Sequence, residues 1–545
     1  MEGVISVFRS KTLQLHTTRS WDFLGLTLDS EVTPCQLAFG DDIIVGVFDT
    51  GIWPESESFK ERPGMRPIPP TWKGKCVKGE RFDPAKDCNR KLIGARYYLK
   101  GFEVEYGPLD KSGNPEYRSP RDFLGHAEFL ATYTMVKSSM SDIAVLCYST
   151  FPRICDQDYY KNKSAAGKVI LCFSTIGPKV SILAVGAVKK ANGAGLIFAD
   201  SMSRQIADVD VIPTVSINLD QGTKLKDYLA QSPRLPVVQI KPSKTIIGKS
   251  PAPTVAYFSS RGPSTIAPDI LKPDVTAPGV NILAAWPTDT PPTVSPSDGR
   301  SVKWNFQSGT SMSCPHVSGV VALIKSAHPN WSPAAIRSAL MTTAYTRDTT
   351  FDSILAGGSM KVSDPFDIGA GHIDPLKAMD PGLVYDMKIN DYILFLCNIG
   401  YTQEDIKNIV LPCDGLDTRC ASSYKTNTNI NYPSITVSNL KSTMTIKRTV
   451  RNVGHNKNTI YFASIVKPAG VEVVIWPRIL FFSWFKEENS YYVTLKPLKK
   501  SQGRYDFGEI VWSDGCHRVR SPLVVLVNTT TTDDYSDSIT QASTI

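Results

Sequence analysis

Ser308-Gly309-Thr310-Ser311-Met312-Ser313-Cys314-Pro315-His316-Val317 is the stretch on which the reading of this 545-residue chain turns. A turn of small residues leads into a run in which Val317, Val320, Val321 and Ile324 recur at the spacing of a buried helix face. Ser311 falls at the N-terminus of that helix. Free backbone N–H groups and the helix dipole favour negative charge there, as the oxyanion of acyl transfer requires. The ordinary reading of such a serine is a helix cap, and Gly-Thr-Ser alone supports no more than that. Pro315 is expected in the first turn, where proline is tolerated.

Working outward, the composition is that of a folded protein: 42% hydrophobic and 21% charged residues, in a chain long enough for about three or four domains. No apolar run approaches the ~20 residues a transmembrane helix needs. The net charge of +8 comes from 60 basic and 52 acidic residues spread along the chain, so neither nucleic acid nor membrane is an expected partner. Eleven cysteines are too few for a disulfide-dominated scaffold and enough to staple loops. The start, Met1-Glu2-Gly3-Val4, enters fold-like sequence with no basic and apolar leader, which alone reads as cytosolic. The cysteine spacing and the sequons at Asn162, Asn330 and Asn528 lean toward a secreted glycoprotein.

The chain alternates in character. Ile43 to Phe48 is a continuous apolar run rich in β-branched residues, predicting a buried parallel strand that ends at Asp49-Thr50-Gly51. A polar residue at the carboxyl end of such a strand lies where open α/β sheets place their sites. Residues 60 to 120 read as long surface loops, with Cys76 and Cys88 spaced to staple one of them. In residues 151 to 240, Lys168 to Cys172 predicts a strand, and Ala184, Ala187, Val188 and Ala191 a helix closed by Asn192-Gly193; Leu196 to Phe198 and Ile212 to Ile217 are further strands. Cys155 and Cys172 bracket the entry of this unit as a second candidate disulfide. From about residue 430, runs such as Val471 to Trp476, Tyr491 to Leu495 and Leu523 to Val527 predict an all-β sandwich. The tail after Asn528 is expected to be disordered.

The string Gly-Thr-Ser-Met-x-x-Pro-His-Val at Gly309 to Val317 resembles the nucleophile motif of subtilisin-like serine proteases. Asp49-Thr50-Gly51 resembles the family's aspartate motif, and Ser119-Pro120-Arg121-Asp122-Phe123-Leu124-Gly125-His126 the approach to its histidine. The order Asp49, His126, Ser311 is that of subtilisin; an α/β hydrolase would run Ser, Asp/Glu, His. The resemblance implies that Asp49 orients the imidazole, His126 is the general base and Ser311 attacks the scissile carbonyl. It implies polypeptide substrates and neither metal nor organic cofactor. His316 is expected to pack, His372 lies in a family turn, and Cys314 resembles an unreactive buried cysteine of the family.

The closer resemblance is to the plant, cucumisin-like branch. It implies an incomplete α/β parallel-sheet catalytic domain in two parts, residues 17–150 and 241–395. A protease-associated α+β insert at 151–240 divides them, and a fibronectin type III-like sandwich at 396–528 and a tail at 529–545 follow. Residues 1–16 resemble the end of an inhibitory propeptide, with the mature chain expected from Thr17. The family strings Phe258 to Pro263 and Lys272 to Gly279 are present. The resemblance also implies an extracellular, cell-wall location for the complete product and self-association through the inserted unit.

Two departures stand out. After His126 the family continues Gly-Thr-His into a helix of small residues, whereas this chain reads Ala127-Glu128-Phe129-Leu130. Several βα units that follow in the family are missing, together with the asparagine whose side chain completes the oxyanion hole. None of Asn162, Asn192, Asn218, Asn281 and Asn305 fits that role. The expectation is a serine endopeptidase by descent whose activity in this form is in question. A defective gene model or splice product is the favoured explanation, and a pseudoprotease serving as a protein-binding module is the alternative.

Overall fold

The computed structural model describes residues 19–26, 43–70, 72–108, 118–122, the backbone of 144–148, then 165–174, 180–200, 209–232, 236–241, 251–293, 298–357, 361–409, 419–420 and 427–528. The chain divides into two compact units. One holds residues 46–246 and 279–308 with the N-terminal segment to Phe23, and the other holds 24–45, 247–278 and everything from Gly309.

In the first unit, strands β1 (Ala144–Tyr148), β2 (Lys168–Phe173), β3 (Gly195–Asp200), β4 (Thr214–Asn218) and β5 (Val237–Val238) form one sheet in the order β4-β3-β2-β1-β5. β1 to β4 pair in parallel, and β5 closes the β1 edge antiparallel. β1 lies upstream of residue 151, where the sequence reading began this unit. The helix Val180–Lys190 buries Ala184, Val185, Ala187 and Val188 at the expected spacing. Asn192 ends it at φ +60°, a left-handed conformation asparagine tolerates better than most residues, and Gly193 N–H donates to the Val188 carbonyl. The helix Leu219–Gln231 starts from a capping box in which Asn218 and Gln221 satisfy each other's backbone N–H groups. A separate hairpin pairs β6 (Ile282–Ala285) with β7 (Trp304–Gln307).

The apolar run at 43–48 departs from its prediction. It forms no strand, and Val45, Val47 and Phe48 are 53%, 62% and 99% exposed. A parallel strand exists only by virtue of neighbours that bond both its edges, and among the described residues none pairs with this run. What remains of parallel pairing begins one step later, where Ile52 bridges Arg121.

In the second unit the two largest cores share one short strand. The helices Thr310–Ala327 and Pro333–Thr343 bury Val320, Ile324, Ala335, Ile336, Ala339 and Leu340 against Leu24, Ile373 and Val384. The C-terminal sandwich packs a sheet β12-β14-β10-β8 on a sheet β13-β11-β15-β16-β9. Its strands are β8 (Leu383–Val384), β9 (Ile435–Leu440), β10 (Met444–Asn452), β11 (Thr459–Val466), β12 (Val471–Trp476), β13 (Ile479–Phe482), β14 (Glu488–Pro497), β15 (Asp506–Ser513) and β16 (Arg518–Val527). Inward residues alternate as two-layer packing demands, and Trp512, Tyr491 and Tyr461 fill the centre. Leu383 and Tyr385 point into this core while Val384 points into the helical one. The Tyr385 and Tyr491 hydroxyls lie 2.7 Å apart, and Ser521 Oγ donates to Tyr385 at 2.9 Å. Arg448 is buried, and among the described residues no carboxylate lies within bonding distance of it. Its guanidinium donates instead to the carbonyls of Thr428, Tyr432, Ser434 and Lys447.

Candidate active site

Ser311 stands second in the 18-residue helix Thr310–Ala327, and its residue is exposed. The capping explanation fails on position: the N-cap is Gly309, which makes no side-chain cap bond. Because the helix starts at Thr310, Pro315 lies in the second turn, not the first as expected. A proline there lacks the N–H that would bond the carbonyl four residues back, which is that of Ser311. The first turn is thus loosened at the Ser311 carbonyl. Ser313 Oγ donates to the Ala277 carbonyl at 3.0 Å and ties this turn to the strand-like segment before it.

The two histidines near this helix are committed elsewhere. His316 is buried, its Nδ1 bonds the Met312 carbonyl at 2.8 Å, and burial holds its imidazole below the usual value. His372 is 1% exposed, bonds the Ile373 carbonyl, and burial pushes it down to about 4. Both are neutral packing residues at physiological pH. Cys314 is a free thiol and exposed, not buried as the resemblance implied, because it lies on the helix face away from Met312 and His316.

In the other unit, Asp49 opens a turn in which its Oδ1 accepts from Thr50 N–H at 2.8 Å. The turn is clamped to the segment leading toward His126. Ile52 N–H donates to the Pro120 carbonyl at 2.8 Å, Asp122 N–H to the Ile52 carbonyl at 3.0 Å, and Thr50 Oγ1 to Asp122 Oδ1 at 3.1 Å. Glycine is required in Asp-Thr-Gly because a Cβ on Gly51 would sit 2.6 Å from the Asp122 nitrogen. Arg121 locks the same segment with a fork onto Glu55 at 2.9 and 2.6 Å and a bond to the Arg81 carbonyl. Beside it lies a cleft of about 530 Å³ walled by Trp53, Glu55, Arg81, Arg121, Asp289 and Trp304. His126 itself lies outside the described residues, as do Cys155 and Asn162.

The asparagines weighed as oxyanion donors are placed in structural roles. Asn192 ends a helix, Asn218 begins one, and Asn281 is at φ +52° with its N–H donating to Ser308 Oγ. Asn305 is buried, its amide N–H donating to the Pro292 carbonyl and its oxygen accepting from Phe306 N–H. Of the candidate disulfides, Cys76–Cys88 is formed, and Cys172 is disulfide-bonded. Cys397–Cys420 is a further bridge that the sequence reading missed. Asn330 is exposed on a turn, whereas the Asn528 amide is engaged by Asn439.

Comparison with known proteins gives these features a context. A family model described as subtilase family matches residues 155–360, and one for a fibronectin type III domain matches 429–525. Subtilisin-like protease SBT3.18 of Arabidopsis thaliana is 48% identical, over 97% of this chain and 87% of its own length. SBT3.9 of the same plant is 33% identical over 96% and 86%, and subtilisin-like serine-protease S of Lotus japonicus 34% over 96% and 87%. The alignment with SBT3.18 runs over 678 positions while this chain has 545 residues, so at least 133 of those positions face a gap here. Among solved structures, the psychrophilic subtilisin-like protease Apa1 of Pseudoalteromonas sp. AS-11 aligns with 45% of this chain and 42% of its own at 18% identity, with a TM-score of 0.18, too distant to bear on the argument.

Proposed function

This chain belongs to the subtilase family of serine endopeptidases, and from that membership we propose that Asp49, His126 and Ser311 are its catalytic triad, set in a body that hydrolyses peptide bonds slowly or not at all. Ser311 attacks the carbonyl of a polypeptide, His126 takes the serine proton and returns it to the leaving amine, and Asp49 holds the imidazole in register. Water then releases the acyl group by the same proton route. The helix N-terminus offers the Ser311 backbone N–H to the oxyanion. The observation that carries the reading is the placement of Ser311: exposed, second in its helix, and relieved of the capping role by Gly309.

Turnover is held down by what accompanies the triad. A triad accelerates acyl transfer only when the carbonyl is held about 3 Å from the serine oxygen against preorganised donors. Each candidate asparagine among the described residues has another job, and loss of that one amide costs about 10² to 10³ in turnover, a figure measured on subtilisin itself. The bare run at 43–48 and the 133 or more unmatched positions favour the second reading, an inactive module that binds proteins through residues 151–240 and the sandwich. We place the complete product outside the cell, in the cell wall. The bridges Cys76–Cys88 and Cys397–Cys420 and the bonded Cys172 fit an oxidising compartment.

The test exposes the full chain and Ser311→Ala to a fluorophosphonate probe and to unfolded protein substrates. Labelling of the native chain that is absent in Ser311→Ala, with hydrolysis at least about 10²-fold below an intact subtilase, is the expected result. Equal labelling of both chains removes Ser311 as nucleophile, and hydrolysis at a subtilase's full rate refutes the incomplete site.

A further inference from the structure

The outer face of the sheet β13-β11-β15-β16-β9 is covered at one end and bare at the other. Over β16 the helix Pro333–Thr343 packs against it, and that strand is buried on both faces. Over β11 and β13 nothing among the described residues covers it. Ile460 stands opposite Phe481 and Phe462 opposite Ile479, all four pointing outward. Val466 continues the row on β11, and the turn after β13 adds Trp484 and Phe485. Phe462, Phe481, Trp484 and Phe485 are 57%, 60%, 67% and 101% exposed. None of these seven residues is ionisable, and the outward position between Phe462 and Val466 is a serine, Ser464.

At roughly 200 Å² per aromatic side chain, the four aromatics leave about 550 Å² open to water. The three aliphatic residues bring the patch to about 750 Å², beyond what monomers ordinarily expose and close to the ~800 Å² each partner gives to a standard interface. We propose that this face is a dimerisation surface, occupied by the same face of a second copy about a two-fold axis. The seven apolar residues carry no charge, the carboxylate beside Val466, Glu509, is already paired with Arg518 and Arg520, and a two-fold contact requires self-complementarity. The strand edge is less inviting than the face: Asn489 Nδ2 already donates to the Phe481 carbonyl at 2.7 Å.

The experiment is sedimentation of the full chain across a dilution series, beside Trp484→Ser/Phe485→Ser, the single variant Phe481→Lys, and Tyr228→Ser on the exposed helix Leu219–Gln231 as a control in the other unit. The native chain should sediment with the mass of two copies and dissociate on dilution. Both patch variants should raise the dissociation constant at least about tenfold, as loss of central aromatic anchors does, with the thermal midpoint unchanged, while Tyr228→Ser stays dimeric. A native chain that is monomeric at every concentration overturns the proposal. So does a dimer indifferent to both patch variants, or one broken by Tyr228→Ser, which assigns the contact to the 144–240 sheet.

Discussion

Replacing Gly51 by alanine tests whether the aspartate turn is held by its pairing with the segment leading to His126. A Cβ at this position meets the Asp122 nitrogen at 2.6 Å and its Cα at 2.7 Å, well inside any real contact, and both are backbone atoms that cannot swing away. The two segments must separate. Two backbone hydrogen bonds and the Thr50–Asp122 bond are lost, at about 0.5–1.5 kcal/mol each, for a total of about 3 kcal/mol. Alanine returns about 0.4–1 kcal/mol by restricting the unfolded chain, leaving a net local loss of about 2 kcal/mol. Hydrogen exchange followed by mass spectrometry reads this directly: amides of Ile52 and Asp122 should exchange about 30-fold faster in the variant, while the sandwich strands keep their protection. Trp53, 8% exposed and two residues away, should shift its emission to the red. Exchange within threefold of the native chain, with unchanged Trp53 emission, would refute the claim that this glycine permits the clamp.

The loop between β15 and β16 carries a pH-dependent tie. His517 Nδ1 lies 2.8 Å from Asp514 and Nε2 3.1 Å from Asp380, with the Tyr461 hydroxyl and Cys516 beside it. Burial opposes protonation, but the hydrogen bonds and charges of the two carboxylates outweigh it and raise the pKa above 6.5. The tie's stabilisation is therefore complete below pH 6.5 and is lost as pH rises through the raised folded value. Thermal melts should show the native chain losing its advantage over His517→Gln as pH rises from 6 to 9; a constant difference across that range would count against the pair of carboxylates. Arg448→Met removes a buried cation but takes a donor from four carbonyls, so urea unfolding of the second unit should show a loss of about 3 kcal/mol. A loss below about 1 kcal/mol would mean that other donors reach those oxygens.

What was legible in the sequence was whatever depends on near neighbours. The spacing of Val317, Val320, Val321 and Ile324 suffices for the helix, and Asn192-Gly193 for the end of another, because backbone geometry enforces both locally. The run at 43–48 has the composition of a buried strand, yet burial is conferred by flanking strands, and among the described residues none pairs with it. The helix start was misplaced because serine is the commoner cap, while here extended Gly309 takes that place and moves Pro315 into the second turn. Cys397–Cys420 escaped notice because 23 residues separate its ends and no periodic element frames the second cysteine. For the site, motif order selected Asp49 and Ser311, but no pattern of residues could foretell that Asn192 and Asn281 sit in left-handed turns, that Asn218 caps a helix and that Asn305 is buried in β7.

Strand β8 has only two residues, and with the tyrosine that follows it they deliver side chains alternately into two different interiors. A boundary between the helical body and the sandwich therefore cannot be drawn through residues 383–385 without opening both. The sandwich is a structural wall of the helical body, not a detachable appendage, and the two should melt in one transition. Truncating the chain before residue 429 would leave Leu383 and Tyr385 in water and take down the helix that carries Ser311 with them. The helix that carries Ser311 therefore leans on strands that begin more than a hundred residues downstream of it, so its packing is settled only once the sandwich has formed.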